Sequence, residues 1–271
     1  MKKIAKEEET KICDMYLNGL SMEKIANIYN VSRTPIERIF REHGVQTRDD
    51  NHKGRIYSID ESYFENIDTP NKAYILGLFY SDGMNKENTG LIKMELQETD
   101  KNIIYRINEE LKSNYPIKKH ELSKKNPNHQ DTYCLQFVNR KMSKDLANLG
   151  VVQNKSLKLE FPNFVDKSLM RDFLRGYLDG DGHIRWSTTR FVTFCSTDSF
   201  CYGLEKYLKE ELGISSKIYS TKNCKTKVLH VFKICQIKKL LNYLYDKSDL
   251  HIDRKYNLFL NICKTDNSLT V

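Results

Sequence analysis

Two aspartates stand in matching surroundings 99 positions apart. Asp82 closes the segment YILGLFYSDG (74–83), and Asp181 closes FLRGYLDGDG (173–182). Each follows an apolar stretch of helix length and a small residue, and each precedes a glycine. The stretches carry small residues four apart, Gly77 and Ser81 in one, Gly176 and Gly180 in the other. That spacing puts both on one helix face, where missing bulk lets two backbones approach closely. Two helices packed on these faces deliver Asp82 and Asp181 side by side at their ends, with Gly83 and Gly182 placed to close the helices in a left-handed conformation. A carboxylate there faces the negative end of the helix dipole, and two of them repel each other. A divalent cation removes the conflict. Hard oxygen ligands in an incomplete cage suit Mg²⁺ (or Mn²⁺), with phosphate and water completing the shell. Such an ion activates water and stabilises the leaving oxygen in phosphodiester hydrolysis. Either aspartate alone would read as an ordinary helix-end turn residue; the duplicated context argues for a site.

The elements around these residues repeat as well. LQETD (96–100) matches FCSTD (194–198) at an offset of 98, and the copies end near Lys155 and Lys255, at an offset of 100. Such agreement predicts a tandem duplication with an approximate two-fold axis between two similar subdomains. Within each copy the pattern runs helix, strands, helix, strands, helix. Ile92, Met94 and Leu96 alternate with Lys93, Glu95 and Gln97, the signature of a strand with one covered and one open polar face. Tyr133, Leu135 and Phe137 alternate with Cys134 and Gln136, and Val192 and Phe194 with Thr193 and Cys195. Helices cover the apolar faces and leave a polar sheet face open in each half. The register around Val228–Ile234 (VLHVFKI) is ambiguous.

The chain has 271 residues with 44 Lys plus Arg against 36 Asp plus Glu, a net charge of +8. The excess is uneven: residues 1–55 carry net +2, residues 56–160 balance 15 against 15, and residues 161–271 carry 18 basic against 12 acidic groups. Leu212–Tyr245 holds seven lysines and no acid, and residues 112–125 hold five lysines against one Glu. One such cluster would be a solvated surface; two at related places point to a polyanion partner. From Thr10 to His43 the apolar residues Ile12, Met15, Tyr16, Ile25, Ile28, Tyr29, Ile36, Ile39 and Phe40 have helical spacing. Gly19, Asn30 and Gly44 punctuate it, with Ser21 and Ser32 at capping positions. Two short helices joined by a tight turn have the geometry of a helix-turn-helix, and YLNGLSMEKIANIYNVSRTPIERIF resembles the resolvase and transposase type. Arg33, Thr34, Glu37, Arg38 and Arg41 avoid the apolar face and could reach base edges and phosphates, with an ordinary three-helix interaction domain as the plain alternative. Arg48, Lys53 and Arg55 come next, in a polar stretch that could track the DNA backbone.

ILGLFYSDG (75–83) and LRGYLDGDG (174–182) resemble the two LAGLIDADG motifs of a single-chain homing endonuclease, over roughly residues 56–263. The second is the closer match. The first has Tyr80 where the pattern has its earlier Asp, and keeps the later one. The resemblance implies an α+β chain, with two pseudo-symmetric αββαββα subdomains forming a saddle over double-stranded DNA. It implies that Asp82 and Asp181 bind the catalytic metal, assisted by the carbonyls of Ser81 and Gly180. Lys155 and Lys255 fall where the family places a lysine that orders water or stabilises the phosphate, with surface charge as the plain alternative. Glu98 and Ser196 fall where a polar residue often touches the solvent network. The expected organisation is a helix-turn-helix domain over 1–47, a linker over 48–68, and subdomains over 69–160 and 161–271. Expected DNA contacts are Arg33, Thr34, Arg38 and Arg41, then Lys93, Glu95 and Gln97, then Arg185, Lys217, Lys222, Lys225 and Lys227. The partner is a long, specific, non-palindromic duplex cut by a monomer.

Other classes weigh less. The longest apolar run, Ala73–Tyr80, is short of the roughly 20 residues a membrane span needs, and MKKIAKEEETK has no signal-peptide core. Seven cysteines without C-x-x-C spacing read as reduced packing residues of a cytoplasmic protein, not as a zinc site or disulfide frame. His183, lacking neighbouring Cys or His, reads as a strand or DNA-contact residue. A terminal SLTV without His-Asn favours a free-standing nuclease over an intein. The competing reading is a non-cleaving DNA-binding regulator or RNA maturase on the same fold; loss of either aspartate would favour it, and both are present.

Overall fold

The computed structural model describes residues 4–47, 56–124, 126–220 and 225–267. The expected contact Lys222, together with Arg48, Lys53 and Arg55, lies outside them. The chain divides into two units, Met1–Ser58 and Ile59–Val271.

In the first unit, α1 (Lys6–Leu17), α2 (Met22–Tyr29) and α3 (Arg33–Glu42) enclose Ile12, Tyr16, Ile25, Ile36, Ile39 and Phe40. The Ser21 side chain accepts from the Lys24 N–H at 3.2 Å and so caps α2. Asn30 ends that helix with φ 51°. Ser32 stands at the start of α3 without a capping side-chain bond. Ile28, expected on the apolar face, is 58% exposed. Arg33, Thr34, Arg38 and Arg41 are all exposed on α3; Arg33 pairs with Glu37 at 2.7 Å and Arg38 with Glu42 at 3.5 Å.

The second unit repeats one topology. The first copy runs α4 (Pro70–Ser81), β1 (Gly83–Lys86), β2 (Leu91–Gln97), α5 (Lys101–Glu110), β3 (Lys118–His120), β4 (Thr132–Val138) and α6 (Arg140–Asn148). The second runs α7 (Met170–Asp181), β5 (Gly182–Trp186), β6 (Arg190–Ser196), α8 (Asp198–Leu212), β7 (Lys217–Ser220), β8 (Lys227–Val231) and α9 (Ile234–Tyr245), and α10 (Asp253–Asn267) comes after it. The sheets have equivalent antiparallel orders, β1-β2-β4-β3 and β5-β6-β8-β7. Residues 59–68, expected as linker, place Tyr63 and Phe64 in the core of this unit.

The apolar face of each sheet packs under helices. Ile92, Met94 and Leu96 are buried while Lys93 and Glu95 stay partly open and Gln97 fully so. In β8, Leu229 and Val231 are buried and His230 takes the other face, which settles the ambiguous register. The first open face is polar. The second is aromatic: the His230 ring lies 5.7 Å from Phe191, 5.0 Å from Tyr219 and 6.0 Å from Phe232.

Between the copies, α4 and α7 pack backbone to backbone. Thr69 caps α4 by accepting from the Lys72 N–H at 3.3 Å, and Pro70 occupies its first turn. From Ala73 to Tyr80 every residue of α4 is buried, as an all-round apolar helix requires. A Cβ added at Gly77 would overlap the Phe173 carbonyl, and one at Gly176 would overlap that of Tyr74. Residues 77 and 176, like 74 and 173, are equivalent at the 99-residue offset. The contact is therefore reciprocal, as a two-fold axis demands. Two charges within α7 partner each other: Arg175 pairs with Asp172 at 2.7 Å and donates to the Leu250 and Leu244 carbonyls. Among the described residues no helix is long and apolar enough to cross a membrane.

Candidate active site

The helix crossing brings Asp82 and Asp181 to one place. Asp82 comes directly after the last residue of α4, and Asp181 is the last residue of α7. Gly180 lies against the Ser81 hydroxyl and the Asp82 carboxylate, so closely that a Cβ there would overlap both. Both aspartates keep an exposed edge, while the packed helix ends crowd their other side. Burial raises the Asp82 carboxyl above its usual range, partly offset by the Ser81 hydroxyl and by Lys155 and Lys255. Asp181 is pushed up to about 6, first by burial and then by the charge of Asp82. A pair whose ionisation is opposed by both desolvation and like charge fits a divalent cation.

The expected helix-ending glycines work differently from expectation. Gly182 is extended, with φ −94° and ψ 158°, and Gly83 is not among the residues of positive φ. Glycine is required there for space: a Cβ at Gly83 would overlap Phe79, and one at Gly182 would overlap Leu178.

The two lysines, expected to order water or contact phosphate, are instead nearly buried, Lys155 at 8% and Lys255 at 4% exposure. Lys155 Nζ donates to the carbonyls of Ser81 at 2.8 Å and Gly83 at 2.7 Å. Lys255 Nζ donates to the carbonyls of Leu178, Asp179 (2.8 Å) and Gly182 (2.7 Å). Helix C-termini leave carbonyls without intrahelical partners, and an ammonium satisfies them while meeting the negative end of the dipole. All three protons of Lys255 are engaged, so none is left for water or phosphate. Lys155 has one to spare. Burial lowers the pKa of both ammonium groups, that of Lys255 to about 8. The Ser81 carbonyl, expected to assist a metal, is the one that Lys155 occupies. Lys255 passes over the Gly180 carbonyl and takes its neighbours.

Glu98 does not join the aspartates. It lies beyond the end of β2 on the helix-covered side, where it pairs with Lys119 at 3.0 Å. Gly83 pairs with Met94, which puts Glu98 about 13 Å farther along the strand. The carboxylate felt at both Asp82 and Lys255 is that of Asp100, buried and held by Arg254 Nε at 2.9 and 3.0 Å. This pair joins the first copy to the second, as do Arg106 with Asp249 at 2.7 Å and Asn102 with Asp253 at 2.9 Å. Nothing in the local sequence marks these residues, because each pair spans more than a hundred positions. Ser196 is buried on the covered face of β6.

The motif departure at Tyr80 has a local explanation. Its counterpart Asp179 is fully buried and accepts from Tyr74 Oη at 2.8 Å, Tyr245 Oη at 2.6 Å and the Ile252 N–H at 2.9 Å. The Tyr80 hydroxyl instead donates to the Leu149 carbonyl at 2.5 Å. Both positions anchor their helix to segments about seventy residues farther along the chain, and neither reaches the aspartates.

Of the expected DNA contacts, Lys93, Glu95 and Gln97 share the open face of the first sheet, where Lys93 pairs with Glu95. Arg185 and Lys217 are exposed on the open face of the second, over the rings of Phe191 and Phe232 at 6.0 Å each. Lys225 is exposed just before β8. Lys227 is misplaced: it shares the parity of Leu229 and Val231 and bonds Ser220 Oγ at 3.0 Å on the covered side.

Residues 168–245 match the model of a LAGLIDADG-like domain. The fold is similar to that of the homing endonuclease I-WcaI bound to its DNA recognition sequence, at 15% identity and TM-score 0.53, over 72% of this chain and 91% of that one. Full-length DUF199/WhiA from Thermatoga maritima is similar at 15% identity and TM-score 0.47, over 76% of this chain. This chain spans 65% of that WhiA chain. The meganuclease I-AabMI bound to uncleaved DNA is similar at 13% identity and TM-score 0.45, over 74% of this chain and 91% of that one. No curated protein sequence matches the chain.

Proposed function

We propose that this chain is a Mg²⁺-dependent, site-specific double-stranded DNA endonuclease of the homing type, acting as a monomer. The observation that carries the reading is the convergence of Asp82 and Asp181 at the ends of two helices packed on a two-fold axis, with an open sheet face on either side. Asp82 and Asp181 would hold the ion or ions. A bound divalent cation supplies an activated water and charge stabilisation at the phosphate. The chain's own part is positional. The glycine contacts bring the helices together, Lys155 and Lys255 fix the turns from helix to strand, and Asp100 with Arg254 locks one copy to the other. The two sheets lie along a major groove, and their unlike faces select a non-palindromic target. The exposed cations of α3 contact DNA as a helix-turn-helix and lengthen the site. Residues 1–47 thus form a DNA-binding domain, and residues 69–160 and 161–271 the two subdomains of the nuclease.

The test begins with selection of duplexes bound by the full chain from a random library. The selected duplex is then incubated with Mg²⁺, in parallel with Asp82→Asn/Asp181→Asn. Scission of both strands by the parent and none by the variant supports the reading. Tight, salt-sensitive binding without scission under Mg²⁺ or Mn²⁺ would replace it with a DNA-binding protein on the same fold.

A further inference from the structure

Away from the aspartates, the open face of the first sheet gathers three side chains of a different ligand chemistry. Glu95 on β2, His120 on β3 and Cys134 on β4 present a carboxylate oxygen, an imidazole nitrogen and a thiol sulfur, all within 4.8 Å of one another. They come from three strands: Glu95 faces Cys134 across the β2–β4 ladder, and His120 pairs with Thr132 on the β3–β4 ladder. His120 Nδ1 stands 2.7 Å from Glu95 Oε1, which also accepts from Thr132 Oγ1 at 2.5 Å. Lys93 takes the other oxygen, Oε2.

From this geometry we infer that Glu95, His120 and Cys134 form a second metal site, for a borderline-soft divalent ion such as Zn²⁺. The donor set separates it from the aspartate site. Thiolate and imidazole select zinc-like ions over Mg²⁺, which takes oxygen ligands. Zinc bond lengths put tetrahedral ligand atoms about 3.3 to 3.7 Å apart. Binding therefore opens the His120 Nδ1–Glu95 Oε1 pair from 2.7 Å by about 0.6 Å. The ion takes the place of the hydrogen between the ring and Oε1, the neutral imidazole then carrying its proton on Nε2, and Lys93 keeps its bond to Oε2. Metal binding releases the proton of Cys134 to solvent; burial holds that thiol above its ordinary range, with Lys93 and Lys118 only partly offsetting it, so the bond to the ion has to drive the release. Three protein ligands leave the fourth position to water on the open face. The ion ties β3, an edge strand of only three residues, across β4 to β2. It would also set the spacing of Lys93 and Glu95 on a face that the nuclease reading lays against DNA, although the site itself does not depend on that reading.

The test uses Co²⁺ as the zinc probe on the full-length, reduced protein without DNA. The expected result is one equivalent that carries a thiolate-to-cobalt charge-transfer absorption, separate from any ion held by Asp82 and Asp181, and displaced by Zn²⁺. Cys134→Ser abolishes the absorption. His120→Ala, which alters a partly exposed residue and leaves the core intact, weakens binding at least about tenfold. Asp82→Asn/Asp181→Asn leaves the absorption unchanged, which keeps failure of this site distinct from failure of the nuclease reading. Absence of the charge-transfer band, or a band that survives Cys134→Ser, overturns the assignment.

Discussion

Lys155 Nζ donates to the main-chain carbonyl of Ser81 at 2.8 Å, directly beside the aspartate that the first motif presents. Lys255 does the corresponding work on the second helix with three carbonyls. The two lysines are thus helix-end clamps. Their charge still matters to the aspartates, because both ammonium groups oppose the upward pressure on the Asp82 and Asp181 pKa values.

Replacing Lys255 with Met leaves the Leu178, Asp179 and Gly182 carbonyls without their donor. The expected loss is about 2 to 4 kcal/mol of stability, measured by urea unfolding in the absence of metal. A variant as stable as the parent but unable to cleave would instead assign Lys255 to the chemistry.

The helix crossing tolerates no side chain at its centre. Gly77→Ala and Gly176→Ala each drive a methyl group into a backbone carbonyl of the opposing helix. Each is expected to destabilise the second unit by about 3 kcal/mol or more, with equal effects at the two equivalent positions. Thermal unfolding of both variants checks the magnitude and the symmetry.

Asp181 is held up to about 6, above the value near 3.9 of an unfolded chain. The folded apo-protein therefore binds a proton that the unfolded chain has released between these values, so this group makes stability fall as pH rises from about 4 to 6. Asp181→Asn should flatten that part of the stability profile. At the proposed site Mg²⁺ would compete with the same proton, and its affinity should climb with pH up to about 6 and then level. Calorimetric titration at pH 5, 6 and 7 checks the sign.

Arg185 and Lys217 are exposed on the open face of the second sheet, whereas Lys227 is bonded on the covered side. Removing a cation that contacts a phosphate should reduce the slope of log affinity against log salt by about 0.9. Arg185→Ala and Lys217→Ala should show this reduction and Lys227→Ala should not, in binding titrations at several salt concentrations.

The aspartate pair and the duplicated architecture are legible because they are written locally and twice: a small residue, Asp and Gly after an apolar helix, then the same again. The alternation of β2 likewise declares its open face directly. Lys227 is misread from sequence because lysine spacing alone does not report strand parity, which Leu229 and Val231 decide once the strand is paired. Glu98 is misread because an offset between copies fixes equivalence but not which side of the sheet a residue ends on. The clamps by Lys155 and Lys255 depend on carbonyls more than seventy positions away, and main-chain acceptors leave no trace in residue type. Asp100 with Arg254 is hidden for the same reason of distance. The glycines after each aspartate are correctly singled out for the wrong cause, since crowding by Phe79 and Leu178 and not a left-handed turn excludes a side chain there.

In the proposed reaction Asp82 and Asp181 act together on a phosphodiester. The most direct measurement is single-turnover cleavage of the selected duplex in Mg²⁺, tracking each strand separately, for the parent, Asp82→Asn and Asp181→Asn. The parent is expected to cut both strands, while each single variant binds the duplex with parental affinity and loses scission. Cleavage of both strands at the parental rate by either variant would contradict that shared role.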